Sequence, residues 1–244
     1  RGLRPLLVNL TDEVSPENSI RMLRAYSVDG VIVASSTLPA SFAEAFKDAG
    51  VPVVHSFGRQ SASPKVNVLG IDNMEAGRLA GQTLIARGYR HVAFMGGPKS
   101  ATSTQDRLAG FEQVMNAAPN VTMTFSFATN YSFDAGRAEM ARLLKSQPAE
   151  AYFCGDDVLS IGALSAINSA GLEVPKDIGI IGLNDMEMAR WENINLTTIH
   201  NPIKQIIASS IELIEASLKD DSRYPEARLF AATIVERGTL RPIP

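Results

Sequence analysis

The sequence is poor in the residues from which cross-linked and metal-bound scaffolds are built. It has one cysteine, Cys154, in 244 residues. No internal disulfide or thiolate metal site can therefore form, which fits a reducing cytoplasm. The three histidines, His55, His91 and His200, lie far apart with no pair at helical spacing, so no metal site is expected. A basic excess is also lacking: 23 Lys and Arg stand against 26 Asp and Glu, a net charge of -3. Binding to nucleic-acid phosphates needs clustered cations, and such a surface does not dominate this chain. Long apolar runs are absent too; Val31-Ile32-Val33-Ala34 is far too short to cross a bilayer, and no membrane partner is expected. No charged-then-apolar signal segment is present and the chain opens at Arg1 without a methionine, so it reads as a fragment or a processed product. The triplets at Asn120, Asn130 and Asn195 match the glycosylation pattern and are taken as chance, since nothing else indicates secretion.

Catalytic signatures are equally scarce. There is no Gly-x-Gly-x-x-Gly and no Gly-x-Ser-x-Gly. Gly96-Gly97-Pro98-Lys99-Ser100 lacks the spacing of a phosphate loop, and Pro98 removes a backbone donor. The expectation is a non-enzymatic chain with no catalytic residue and no cofactor.

What is present is a regular alternation of apolar runs and amphipathic stretches. Residues 6–8, 30–34, 52–54, 66–71, 91–95, 121–125, 151–154 and 178–183 read as strands, short and bounded by Gly, Pro or Asp. Their runs are continuous rather than alternating, which predicts a parallel sheet buried on both faces. Helical periods fill the intervals 75–86, 133–144, 158–170 and 202–218, the first closed by Gly88 and the third by Gly171. Asp134 and Asp157 fall in first turns, where a negative charge meets the positive end of the helix dipole. Repeated strand–helix–strand units predict an α/β fold with doubly wound parallel sheets. About eight to ten strands are too many for one neat open sheet, so two lobes are expected.

In such sheets ligands bind beyond the carboxyl ends of the strands. Those ends carry Ser36, Ser103, Arg107, Tyr131, Asp156, Asn184, Asp185, His200 and Asn201. This inventory can hydrogen-bond a polyhydroxylated or amide-bearing small molecule and stack on its flat face. Each residue alone also reads as a helix cap or turn former. Arg107 is the exception: it leads into Leu108-Ala109-Gly110-Phe111, where a lone Arg has little packing purpose unless it pairs with Asp156 or Asp185.

Several blocks then occur in one order: Asp29-Gly30-Val31-Ile32-Val33, Asp72-Asn73, Gly88 to Phe94 with Gly96-Gly97, Arg107 to Phe111, and Asp156-Asp157 with Gly162-Ala163-Leu164. They continue with Val174 to Ile178, Gly182-Leu183-Asn184-Asp185, Leu196 to Ile199 and Val235 to Thr239. Together the set resembles the effector-binding core of LacI-family transcriptional repressors over nearly the whole chain. The resemblance implies two similar lobes joined by three crossovers, as in periplasmic sugar-binding proteins, with 1–72 and 201–230 in the first lobe and 73–200 and 231–244 in the second. It implies Arg107, Asp156, Asn184 and Tyr131 as ligand residues, with Ser103, Ser36, Asn201 and Asp185 beside them. Asp185 is expected either at the ligand, capping a helix, or bracing Arg107. The implied partners are a sugar-like effector, a second copy of the chain in a homodimer, and operator DNA reached only through a helix-turn-helix domain. In the family that domain, a hinge, a first strand and a helix precede the strand that Leu6-Leu7-Val8 resembles, and the sequence carries none of them. It also departs from the family at Asp156 (usually Asn), Asn184 (usually Asp) and Phe57-Gly58 (often Asp-Arg). The alternative reading is a periplasmic sugar-binding protein of a transporter, which shares the fold. With no basic surface of its own, the 244-residue chain is expected to leave operator DNA unshifted in an electrophoretic mobility assay at physiological salt; a retarded band would contradict this.

Overall fold

A computed structural model describes residues 3–8, 15–36, 38, 40–220 and 222–244. The chain runs α1 (Pro16–Ala25), β1 (Val31–Ala34), α2 (Ala40–Asp48), β2 (Val53–Ser56), β3 (Asn67–Ile71), α3 (Asn73–Ala86), β4 (His91–Gly96), α4 (Thr102–Ala117) and β5 (Thr122–Phe127). It continues with α5 (Phe133–Leu143), β6 (Ala151–Cys154), α6 (Asp157–Ser169), β7 (Gly179–Asn184), a 3-10 turn (Glu187–Arg190), β8 (Thr198–His200), α7 (Ile203–Lys219), β9 (Ala227–Phe230) and β10 (Thr233–Val235).

The strands divide between two sheets, in the orders β1-β2-β3-β9 and β10-β8-β7-β6-β4-β5. Every pairing is parallel except that of β10 with β8. The reason for the continuous apolar runs is visible in β4. Val92 and Phe94 face one core with Phe111 of α4 and Phe153 of β6, while Ala93 and Met95 face another with Tyr152, Leu159 and Ile167. A strand covered on both faces cannot alternate apolar with polar. The first sheet is covered likewise: Val33, Val53 and Val68 pack with Phe42 and Phe46 of α2, and Val54 and Leu69 pack with Ile206 and Leu213 of α7. The fold is α/β, with two doubly wound, predominantly parallel sheets.

The chain passes between the sheets at 72–73, between β8 and α7, and at 231–232, where β9 of the first sheet leads directly to β10 of the second. These junctions put the carboxyl ends of both sheets opposite one another. Neither β9 nor β10 was expected as a strand. Their segments are short and largely exposed, because both lie at sheet edges, and they lack the apolar run that marks an interior strand.

One sequence expectation fails. Leu6-Leu7-Val8 is not a strand; the segment is irregular and Leu7 is 88% exposed. A strand is stabilised by its neighbour's backbone groups, and among the described residues β1 pairs with β2 alone and ends the sheet. Apolar content alone does not supply a partner.

Helices α3 and α4 are held at backbone contact by glycine. A Cβ on Gly77 of α3 would lie 2.1 Å from the Arg107 carbonyl oxygen, and one on Gly110 of α4 would lie 1.9 Å from that of Met74. This crossing sets the depth at which α4 carries Arg107. Overpacking of this kind costs about 1–3 kcal/mol. Gly77→Ala should therefore lower the melting temperature by roughly 3–10 °C, measured by circular dichroism; an unchanged midpoint would show that the two helices separate without cost.

Candidate functional site

A cavity of about 270 Å³ opens between the carboxyl ends of the two sheets. The first sheet and its loops contribute Ala34, Ser35, Ser36, Phe57, Gly70 and Ile71. The second contributes Asn73, Ser103, Arg107, Tyr131, Asp156 and Asn184, and the β8–α7 junction adds Asn201 and Ile203. Seven of the eight residues singled out from the sequence thus meet in one place.

Arg107 lies on the second turn of α4 and is only 8% exposed. Its Nε donates to Asn73 Oδ1 at 2.8 Å and its Nη1 to the Gly155 carbonyl at 2.6 Å. Neither Asp156 nor Asp185 hydrogen-bonds it. Two neutral acceptors orient the guanidinium without discharging it, and Nη2 makes no hydrogen bond to a described residue. Burial is the largest influence on the group and lowers its pKa, against the opposing effects of Tyr131, Asp156 and Asp106.

Asp156 is both a helix cap and a pocket wall. As the N-cap of α6 it accepts the Val158 N–H on Oδ1 at 2.7 Å, and Oδ2 accepts from Asn184 Nδ2 at 2.7 Å. Burial raises its pKa above the usual carboxylate value; the Val158 N–H, Arg107 and Asn184 act against that rise. The network continues as Asn201 Nδ2 donates to Asn184 Oδ1 at 3.1 Å. Asn201 is 6% exposed, and its Oδ1 has no hydrogen-bond partner among the described residues. A buried acceptor left unpaired costs about 1–3 kcal/mol.

Tyr131 forms the flat wall. Its hydroxyl meets Thr104 Oγ1 at 2.7 Å and Ser103 Oγ at 3.4 Å, the latter long for a hydrogen bond. Its ring lies so close to Gly97 that a Cβ there would stand 2.3 Å from it. Backbone strain gathers here as well: Phe57 (φ 65), Asn184 (φ 120) and Asp185 (φ 55) are left-handed. For a bulky residue such as Phe57 that conformation is an outlier of the kind that collects at ligand sites.

Asp185 points elsewhere. Its Oδ1 accepts from Arg237 Nη2 at 2.6 Å and its Oδ2 lies 3.0 Å from His200 Nδ1. It therefore braces the strand ends behind the cavity and does not line it. Burial alone would raise its pKa, but hydrogen bonds from Arg237 and His200 outweigh this and hold it below the usual value. Sequence reasoning missed Asn73, Gly70 and Ile203 as wall residues. Asn73 stands in the Asp72-Asn73 block quoted above, but its contact with Arg107 spans 34 residues and leaves no local signal. No cluster of His, Cys, Asp and Glu fit to hold a metal exists among the described residues, and no helix there is long and apolar enough to cross a membrane.

A cleft between two doubly wound sheets, walled by one guanidinium, one carboxylate, amides and aromatic rings, defines a clamp of the periplasmic-binding-protein type. The profile described as periplasmic binding protein-like domain matches residues 82–240. The HTH-type transcriptional repressor PurR of Vibrio vulnificus strain CMCP6 is 31% identical over 232 residues, covering 92% of this chain and 68% of that protein. The transcriptional regulator CelR in complex with cellobiose superposes with a TM-score of 0.82 at 26% identity, covering 92% of this chain and 69% of that one. A LacI-family regulatory protein from Corynebacterium glutamicum gives 0.76 at 27% identity, covering 91% and 81%. The chain belongs to the LacI family of transcriptional regulators and constitutes its effector-binding core.

Beneath the cavity, Asp157 Oδ1 accepts the Thr198 hydroxyl at 2.6 Å and Oδ2 the Met186 N–H at 2.8 Å. Burial, further assisted by Asp156 and Asp185, raises its pKa to about 6 despite these bonds. A carboxyl whose folded pKa lies above its unfolded value binds protons more tightly in the native state. Its contribution to stability is therefore greatest at low pH and falls as pH rises between about 4 and 6. Asp157→Asn should gain stability relative to the parent across that window, followed by urea midpoints from pH 4 to 7. A difference that stays flat over this range would show the carboxyl titrating normally.

Proposed function

We propose that the chain senses a small, polar, hydroxyl-bearing metabolite, of sugar or sugar-derivative type, held between the two lobes by Arg107, Asp156, Asn184, Tyr131, Ser103, Ser36 and Asn201. The observation that carries this is the convergence on one cavity of a guanidinium held only by neutral acceptors, the Asp156 carboxylate and the Asn184 and Asn201 amides. Arg107 Nη2 donates to ligand oxygens, Asp156 accepts from ligand hydroxyls, the linked amides of Asn184 and Asn201 complete the polar wall, and Tyr131 with Phe57 supplies flat apolar contact. A hydroxyl is donor and acceptor at once and suits both halves of this wall. The cavity of about 270 Å³ falls just short of the usual range of small-molecule sites, about 300–1,000 Å³, which suits a small ligand. The cellobiose bound by CelR, a 26% identical relative, supports the same class. Asp185 acts behind the site, bracing Arg237 and His200.

The lobes are residues 1–72 with 201–230 and residues 73–200 with 231–244, a division supported by the separate sheets of β9 and β10. The chain is a binding protein and not an enzyme, works in the cytoplasm, and acts as a homodimer. Operator DNA is contacted only through a separate helix-turn-helix domain. The effector shifts the angle between lobes by its differential affinity for the two arrangements. That in turn alters the spacing of two DNA-binding heads on half-sites a fixed distance apart.

A thermal-shift screen against sugars, sugar acids, sugar phosphates, purines and nucleosides tests this. At about 100 times its dissociation constant a ligand adds about 2.7 kcal/mol, or roughly 5–10 °C for a chain of this size. The expected result is one sugar-like class giving that shift, lost in Arg107→Ala. A shift from purines alone, or one that survives Arg107→Ala, would overturn the assignment.

A further inference from the structure

The helix that carries Arg107 begins without a cap of its own. The residue preceding α4 is Ala101, which has no side-chain oxygen to accept a first-turn N–H, and alanine is among the poorest N-caps. The acceptor comes from across the cleft. The carbonyl oxygen of Ser36, in the loop after β1, receives both the Thr102 N–H at 3.1 Å and the Thr102 hydroxyl at 3.0 Å. One turn later Asp106 Oδ1 accepts from Arg59 Nη2 at 2.6 Å, and Arg59 belongs to the loop between β2 and β3 of the first sheet. Between these anchors lie Ser103, in the cavity wall, and Thr104, which holds the Tyr131 hydroxyl; Arg107 follows at once.

We infer that the first two turns of α4 are a coupling element, pinned to the opposite lobe by Ser36 and Arg59, so that the placement of Ser103 and Arg107 is tied to the distance between the lobes. The inference rests on the reading that a ligand is held in this cleft. Arg59 is a positioning residue. It occupies the Asp106 carboxylate at the cleft rim, so the guanidinium of the adjacent Arg107 is left to Asn73, Gly155 and the cavity. Separating the lobes removes the carbonyl that caps α4 and the cation that fixes Asp106 together. The helix start that presents the ligand-facing side chains then loosens. The start of α6 is built differently: Asp156 caps it from within its own lobe, so lobe separation leaves it intact.

Hydrogen exchange of the 244-residue chain, read by mass spectrometry over residues 99–110 and 156–166, separates these cases. Arg59→Gln should speed exchange at the start of α4 by roughly two- to fivefold, the scale of an exposed ion pair, and leave the start of α6 unchanged. Salt raised to about 0.5 M should do the same to the parent and little to the variant, because it screens a pair that the variant lacks. Arg59→Asp combined with Asp106→Arg should restore slow exchange. Unchanged exchange in Arg59→Gln, an equal rise at α6, or no rescue by the exchanged pair would each overturn the inference. If exchange behaves as stated while no compound shifts the melting temperature, the pinning of α4 stands and the cleft-ligand reading fails.

Discussion

The site depends on one buried cation held by neutral acceptors. Arg107 is fixed by an amide oxygen and a backbone carbonyl, groups that orient a guanidinium without neutralising it. A carboxylate in their place would give a closed ion pair with little left for a ligand, since buried charges are stable only when compensated. The nearest cavity carboxylate, Asp156, follows Gly155 in the same lobe and is itself engaged by Val158 and Asn184. The cavity wall therefore carries one cation and one carboxylate, each held by partners other than the other.

That arrangement requires close helix packing and strained strand ends. Gly77 and Gly110 allow α3 and α4 to touch backbone to backbone, which puts Asn73, at the first position of α3, within reach of Arg107. Asn184 and Asp185 turn out of β7 in left-handed conformations, so one side chain faces the cavity and its neighbour faces Arg237. Two adjacent polar residues with the same apparent promise therefore serve opposite sides of one wall. The exchange of Asp and Asn relative to the family's usual order fits this geometry: Asp156 combines the carboxylate with a helix N-terminus, where negative charge is favoured, and Asn184 can donate to it while accepting from Asn201.

Much of this was legible in the chain. Interior strands announced themselves because burial on both faces forces continuous apolar runs. Helices α3, α5, α6 and α7 showed their period, and Gly88 and Gly171 marked two helix ends with the positive φ that they adopt. The strand-end rule gathered seven of the cavity's residues before any coordinates. The edge strands β9 and β10 left weaker signals, since they carry little buried apolar surface, and the helices α1 and α2 are short, with few turns over which a period can show. Leu6-Leu7-Val8 misled for the converse reason: it has strand composition without a neighbouring strand to pair with.

The sequence by itself determined the α/β class, the family, and the residue types that meet at the cleft, because hydrophobic period and ordered blocks are local properties written along the chain. Only the tertiary structure decided which polar groups face each other. Arg107 and Asn73 are 34 residues apart, and Asp185 and Arg237 are 52 apart. Asn201's unpaired oxygen and the capping of α4 by Ser36 likewise exist only once two sheets are brought together. Hydrogen-bond partners at such separations are set by how helices pack and strands end, and no spacing in the sequence encodes them.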